Sequence, residues 1–139
     1  MQQRARELTV LLARLVVGAT FIAHGYQKVA VNGMDKVVEG FGQMGIPLPS
    51  VAAWFTVAVE FLGGATLILG VLLPVAGVLL AALMVGAMGF AHLSSGFFTG
   101  DGGFEYVLVL AVVSLVLGFS GSRYTLPALF AKQPQRAEA

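Results

Sequence analysis

Five ionisable side chains that could take part in chemistry stand within or beside long apolar runs of the sequence: His24, Lys28, Glu60, His92 and Glu105. Sets of carboxylates and histidines inside a membrane can relay protons, and a lysine can form an ion pair with a carboxylate. A charged side chain at the centre of a bilayer costs about 2.5 kcal/mol or more, so it usually faces other helices and has a partner. The role of these five residues therefore depends on whether the apolar runs cross a membrane.

The composition favours a membrane protein. Of the 139 residues, 58% are hydrophobic and 11% are charged, and the mean hydropathy is +0.88. Soluble domains carry about 25% charged residues. The net charge of +1 gives no basic excess that would indicate a nucleic-acid partner. The chain has no cysteine, which excludes thiolate catalysis, disulfide exchange, iron–sulfur ligation and cysteine-type zinc sites within it.

Four apolar runs are long enough, or nearly so, to cross the hydrocarbon core of a bilayer, which takes about 20 residues of helix. The runs are continuous and do not alternate with polar residues, so helices satisfy their backbone groups better than strands would. The sequence predicts an all-α fold, an antiparallel integral membrane four-helix bundle that forms a single transmembrane domain over 1–139. The predicted helices are 8–30, 51–73, 75–95 and 104–121.

The predicted connections differ in length. The outer loop 31–50 contains the segment MDKVVEGFGQM, whose apolar residues recur at helical spacing; this indicates a short helix in the membrane interface or ordinary loop packing. A tight turn at Pro74 is expected to join the second and third spans. Residues 127–139 form a polar tail.

Positive charges predict the orientation. Arg4 and Arg6 precede the first span, and Arg123, Lys132 and Arg136 follow the last one. Cytoplasmic flanks of membrane helices are enriched in Lys and Arg, so both termini are expected in the cytoplasm of a multi-pass protein.

With this orientation, all four helices contribute polar groups to the outer half of the bundle. Glu60 lies nine residues into the second span, about 14 Å deep and near the midplane. His24, Lys28, His92 and Glu105 lie near the outer helix ends. Glu60 is expected to pair with Lys28 or His24, or else to stay protonated in its apolar surroundings. We predict one polar binding cluster from these five residues.

Each of the other four members has a simpler alternative. Lys28 could extend to the outer headgroups, and His24 could bond a neighbouring helix. His92 and Glu105 could lie in the wet interface. Two histidines and two carboxylates could also bind a metal, but no short ligand spacing such as HExxH occurs, and we predict no metal site.

Three further residues on these helices have predicted roles. Gly63 and Gly64 share the helix face of Glu60 and would let a neighbouring helix or a ligand come close. Arg14 lies near the inner side, on the same face of its helix as Lys28. It could extend to cytoplasmic phosphates or bond the end of another helix.

Several segments of the sequence form a recognisable set, among them FIAHGYQK (21–28), GFGQMGIPLP (40–49), VEFLGGATLILGVLLP (59–74) and GGFEY (102–106). Together they resemble the DoxX family of small bacterial membrane proteins. The resemblance implies a four-helix protein of the bacterial plasma membrane whose polar set falls on Arg14, His24, Lys28, Glu60 and Glu105. One departure is Pro127, in YTLP, where many members have the acid of YSLD.

Relatives in this family are associated with redox systems, namely subunits of thiosulfate:quinone oxidoreductases and a membrane complex that links superoxide detoxification with sulfur transfer. The resemblance and the polar cluster inside an apolar bundle together imply a redox accessory subunit that binds a quinone-like lipid or docks a redox partner protein. The sequence itself shows no self-sufficient catalytic motif. No other cofactor is indicated. Two alternatives stay open: a structural or assembly protein, and a transporter of protons or a small solute. The expected partners are the lipid membrane, a redox protein and further copies of this chain.

Overall fold

The computed structural model describes residues 1–121 and 124–130, and over them every regular element is helical. We number the α-helices in chain order: α1 Gln2–Tyr26, α2 Met34–Gln43, α3 Pro49–Leu69, α4 Leu73–Ala87, α5 Glu105–Phe119 and α6 Leu126–Phe130. Two of them continue as π-helical segments, α1 over Gln27–Asn32 and α4 over Met88–His92. Short 3₁₀ turns follow at Leu93–Ser95 and Thr99–Asp101.

Helices α1, α3, α4 and α5 form an antiparallel bundle. α1 packs against α3, α3 against α4, and α4 against α5, while the short helix α2 packs against α3. We call the half of the bundle that holds the turn 70–72 the closed half. The half that holds α2, the two π-helical segments and the loop 96–104 is the open half.

The bundle has the surface of a membrane protein. Within the described residues, three helices are long and apolar enough to cross a bilayer, Gln2–Asn32, Pro49–Leu69 and Leu73–Ser95. α5 is equally apolar but has only 15 residues. Large apolar side chains such as Leu12, Leu62 and Val116 point outward, each more than half exposed. Helices that are apolar all round suit a lipid environment. The number of spans and the orientation of the termini stay predictions.

The chain reverses between α3 and α4 at a different place from the predicted turn at Pro74. α3 ends at Leu69, and Gly70 takes a left-handed conformation with φ 73°. Glycine adopts this conformation without a Cβ penalty and therefore ends helices. Pro74 lies in the first turn of α4, where its missing N–H leaves no hydrogen bond unmade. The sequence prediction placed the turn at Pro74 and overlooked Gly70, which is the stronger signal for the end of a helix.

Glycines hold the closed half together. A Cβ placed on Gly64 would lie 2.6 Å from the backbone oxygen of Gly18 in α1. A Cβ on Gly77 would lie 2.6 Å from the backbone oxygen of Ser114 in α5. Such distances are too short for any side chain, so the helix backbones touch directly.

The other boundaries differ modestly from those predicted. α1 begins at Gln2, six residues before the predicted start at 8, as an exposed helical turn. Within the predicted outer loop 31–50, α2 buries Val37 and starts after Gly33, which has φ 82°. Of the predicted polar tail 127–139, residues 131–139 lie outside the described residues, and so does Arg123.

Candidate ligand-binding cavity

A cavity of about 550 Å³ lies in the open half of the bundle. α1, α3, α4 and α5 form its walls, and residues of α2 and of the loop 96–104 close its end. Most of the wall is apolar, with side chains such as Phe21, Phe55, Met84, Phe90 and Leu110. Pockets for small molecules are typically about 300–1,000 Å³ in volume and mostly apolar, with a few placed polar groups.

The principal polar feature of the cavity is an ion pair. Lys28 Nζ lies 2.7 Å from Glu60 Oε1 and donates a second hydrogen bond of 2.9 Å to Oε2. Glu60 is 2% exposed, and the Lys28 side chain is 20% exposed. Because both carboxylate oxygens receive hydrogen bonds from one ammonium group, the pair presents little net charge to the cavity.

The sequence accounts for the position of this pair. Lys28 lies on the π-helical segment that extends α1, and Glu60 lies on the buried face of α3. α1 comes close to α3 because Gly25 leaves room for the ring of Phe61, while Gly64 meets Gly18 further along the same contact. π-helical turns of this kind occur often at functional sites.

Two aromatic rings lie together on the wall beside the ion pair. The rings of His24 and Tyr106 have centroids 6.2 Å apart and planes tilted by 31°. Both residues line the cavity, and so does Thr56. The sequence prediction included His24 but missed Tyr106 and Thr56. Thr56 could have been found, because it precedes Glu60 by one helical turn and shares its face.

His92 and Glu105 are placed differently. His92 lines the cavity, and its Nδ1 lies 2.8 Å from the backbone oxygen of Gly102. The carboxylate of Glu105 faces the loop, where Oε1 accepts a 2.8 Å hydrogen bond from the backbone N–H of Thr99. Four of the five predicted residues, His24, Lys28, Glu60 and His92, thus share one cavity, and Glu105 lies beside it.

Arg14 lies in the closed half and is fully buried. Its Nε donates a 2.8 Å hydrogen bond to the backbone oxygen of Leu67, and Nη2 donates one of 3.2 Å to that of Ile68. Both carbonyls belong to the last turn of α3, so the guanidinium group caps this helix end. Nη1 makes no hydrogen bond within the described part of the chain. Of the two alternatives for Arg14, the structure shows the bond to another helix end.

Gly63 and Gly64 lie at helix contacts. Gly63 faces Leu80 of α4, and Gly64 faces Gly18 of α1. Neither lines the cavity. Within residues 1–121 and 124–130, no group of three or more His, Asp and Glu side chains could hold a metal ion.

The sequence model of one protein family, DoxX, matches residues 9–93, which include His24, Lys28, Glu60 and His92. The chain belongs to the DoxX family. This confirms the resemblance in the sequence. The match covers most of α1, the π-helical segment after it and α2 to α4, and so includes the ion pair and the glycine contact between α1 and α3.

A curated relative supports the same assignment. The chain is 35% identical over 118 residues to a protein of Bacillus subtilis (strain 168) named "Putative oxidoreductase CatD". The alignment covers 85% of this chain and 83% of that protein. No solved structure matches the chain. The chain is thus a DoxX-family membrane protein with a relative whose name describes an oxidoreductase.

Proposed function

We propose that this chain is a redox-associated accessory subunit of the membrane that binds a quinone-like lipid in the cavity of the open half. The observation that carries the proposal is the Lys28–Glu60 ion pair, which lies at the wall of a large apolar cavity. An apolar cavity with a few fixed polar groups suits an amphiphile with a polar head and an apolar tail. The near-neutral pair favours an uncharged head over an ionic one.

The polar groups suit the carbonyl oxygens of a quinone ring. The Lys28 ammonium group has one more N–H than the two that Glu60 accepts. The Tyr106 hydroxyl and the His24 ring are further hydrogen-bonding groups of the same cavity. Hydrogen bonds from these groups would hold the head, while the phenyl and aliphatic wall contacts the ring faces.

The cavity also has an opening suited to a lipid tail. Phe55 of α3 and Phe90 of the segment after α4 line the cavity and are themselves 56% and 50% exposed. The lining therefore continues to the outer surface of the bundle between these helices. A lipid could enter from the membrane by this route without passing through water.

The redox part of the proposal rests on the family and on the name of the Bacillus relative. The chain contains no cysteine, and the described residues hold no group of metal ligands. In this proposal, a partner redox protein would exchange electrons with the bound quinone-like lipid. The chain itself would supply the binding site and position the head of the lipid.

Two glycine variants test the ligand site with little risk to folding. A Cβ on Gly86 or on Gly89 would meet nothing within 4 Å, but only Gly86 lines the cavity. We expect Gly86→Leu to fill the cavity and to weaken binding of decyl-ubiquinone in nanodiscs by at least about tenfold, while Gly89→Leu binds like the wild type. Equal binding by both variants would place the ligand elsewhere, and no binding by the wild type would contradict the proposed function.

We further propose that α5 is the fourth span and that both termini lie in the cytoplasm, in the plasma membrane of a bacterium. α5 packs along α4 and is apolar apart from Glu105 at its start and the buried Ser114, and Arg4 and Arg6 precede the membrane part of α1. Tags at each terminus, tested for labelling in intact and opened spheroplasts, measure the orientation. Labelling of the C-terminal tag from outside intact cells would contradict it.

A further inference from the structure

The orientation of His92 reveals which ring nitrogen is available to a ligand. Nδ1 lies 2.8 Å from the backbone oxygen of Gly102, and a carbonyl oxygen can only accept a hydrogen bond. Nδ1 therefore carries a proton. In the neutral ring, Nε2 then has a lone pair and acts as an acceptor. Within the described residues Nε2 has no hydrogen-bond partner, and His92 lines the cavity.

The loop that sets this orientation is firmly built. Backbone N–H groups of Gly103, Phe104 and Glu105 donate to the backbone oxygens of Phe98, Gly96 and Phe97, at 2.9–3.0 Å. A Cβ on Gly103 would lie within 2.6 Å of the backbone at residues 96 and 97, so no larger residue fits there. The backbone oxygen of Gly102 is therefore held in place beside His92.

Glu105 contributes to the same arrangement from outside the cavity. Its Oε1 accepts a 2.8 Å hydrogen bond from the N–H of Thr99, the first residue of the 3₁₀ turn Thr99–Asp101. This turn leads directly to Gly102, whose own N–H donates to the backbone oxygen of Thr99 at 2.9 Å. Glu105 thus fixes the turn, the turn fixes the oxygen of Gly102, and that oxygen fixes the His92 ring.

We propose that His92 Nε2 accepts a hydrogen bond from a hydroxyl group of the bound lipid, so that the cavity prefers the quinol to the quinone, with Glu105 as a positioning residue. The inference rests on the proposed function. A quinol hydroxyl can donate to Nε2, whereas a quinone carbonyl carries only lone pairs and would face another acceptor. Leaving two acceptors opposed in an apolar cavity costs binding free energy.

The test compares two forms of one probe in nanodiscs under argon, decyl-ubiquinone and decyl-ubiquinol kept reduced with dithionite. We expect the wild type to bind the quinol about tenfold more tightly, the effect of one hydrogen bond in an apolar site. His92→Phe should lower this ratio to about one, because the phenyl ring has no acceptor. Its quinone affinity should not fall, because the variant removes the acceptor that opposes the quinone carbonyl.

Glu105 variants separate positioning from general stability. Glu105→Gln keeps an Oε1 acceptor for the Thr99 N–H and should keep the preference for the quinol. Glu105→Ala should lose most of the preference while quinone affinity changes little. A fall in both affinities by the same factor in Glu105→Ala would instead indicate collapse of the loop, and would contradict the positioning role.

The outcomes distinguish this inference from the proposed function. If the wild type binds the quinone and Gly86→Leu weakens that binding by at least about tenfold, the result supports the proposed ligand site. An equal affinity of the wild type for both forms, or a ratio unchanged in His92→Phe, would then overturn the role of His92 alone. If the wild type binds neither form, the proposed function and this inference both fail.

Discussion

Arg14 and Lys28 are two cations on one face of the same helical stretch, yet they lie in different surroundings. Arg14 lies in the closed half, fully buried, and donates to two backbone carbonyls at the end of α3. Lys28 lies in the open half, borders a cavity of about 550 Å³ and donates to the carboxylate of Glu60. Arg14 is held by backbone carbonyls, which are present whatever the sequence. Lys28 is held by the side chain of Glu60, which a mutation can replace.

This difference indicates that the two halves of the bundle have different roles. In the closed half, glycine contacts and the Arg14 cap bring the helix backbones into direct contact. In the open half, α1 and α4 continue as π-helical segments, and their polar side chains face a space that a ligand could fill. Buried charge stabilises a helix end in one half, and in the other it forms the proposed binding site.

The largest loss of stability is expected from Arg14→Met. Without the guanidinium group, the carbonyls of Leu67 and Ile68 lose their charge-assisted hydrogen bonds inside an apolar bundle. Each such unsatisfied group costs about 1–3 kcal/mol, so the variant should lose about 4 kcal/mol in unfolding free energy. Thermal unfolding in detergent measures it. The control Arg4→Met removes an exposed arginine of the same helix and should change little. An unchanged midpoint for Arg14→Met would show that the cap is dispensable.

Part of this division could be predicted from the sequence. The cost of a midplane carboxylate indicated that Glu60 needs a partner, and depth along the helices suggested Lys28 or His24. The pairing of Gly64 with Gly18 could not be predicted, because spacing along one helix does not tell which neighbour approaches. The amino-acid composition of the two π-helical segments does not distinguish them from an ordinary α-helix. The hydrogen bond of Glu105 to Thr99 depends on the loop path, which the glycines of 100–103 leave undetermined in the sequence.

A smaller loss is expected from Lys28→Met, which leaves the carboxylate of Glu60 buried without its cation. Breaking a buried ion pair from one side costs about 3–5 kcal/mol. Because the Lys28 side chain is 20% exposed, we expect a value near the lower limit, about 3 kcal/mol. Lys36→Met, an exposed change in α2, is the matched control. A midpoint equal to that of the control would mean that the pair contributes no stability.

The variants Gly64→Leu and Gly86→Leu make the same substitution in the closed and in the open half. The Cβ of Gly64→Leu would lie 2.6 Å from the backbone oxygen of Gly18, and overpacking of this kind costs about 1–3 kcal/mol. A Cβ on Gly86 would meet no atom within 4 Å, and the rest of a leucine side chain would extend into the cavity, so Gly86→Leu should leave the midpoint nearly unchanged. Equal midpoints for the two variants would contradict the distinction between a closed and an open half.

The double variant Lys28→Met with Glu60→Gln tests the central claim, that this ion pair serves a ligand and does not merely join two helices. It removes both charges at once, so most of the stability lost in Lys28→Met should return. No such second change can restore the stability of Arg14→Met, because Arg14 has no side-chain partner among the described residues. The decisive measurement is decyl-ubiquinone binding by this double variant in nanodiscs, together with its thermal midpoint. We predict a recovered midpoint and an affinity at least about tenfold weaker than that of the wild type. A recovered midpoint with wild-type affinity would contradict the account.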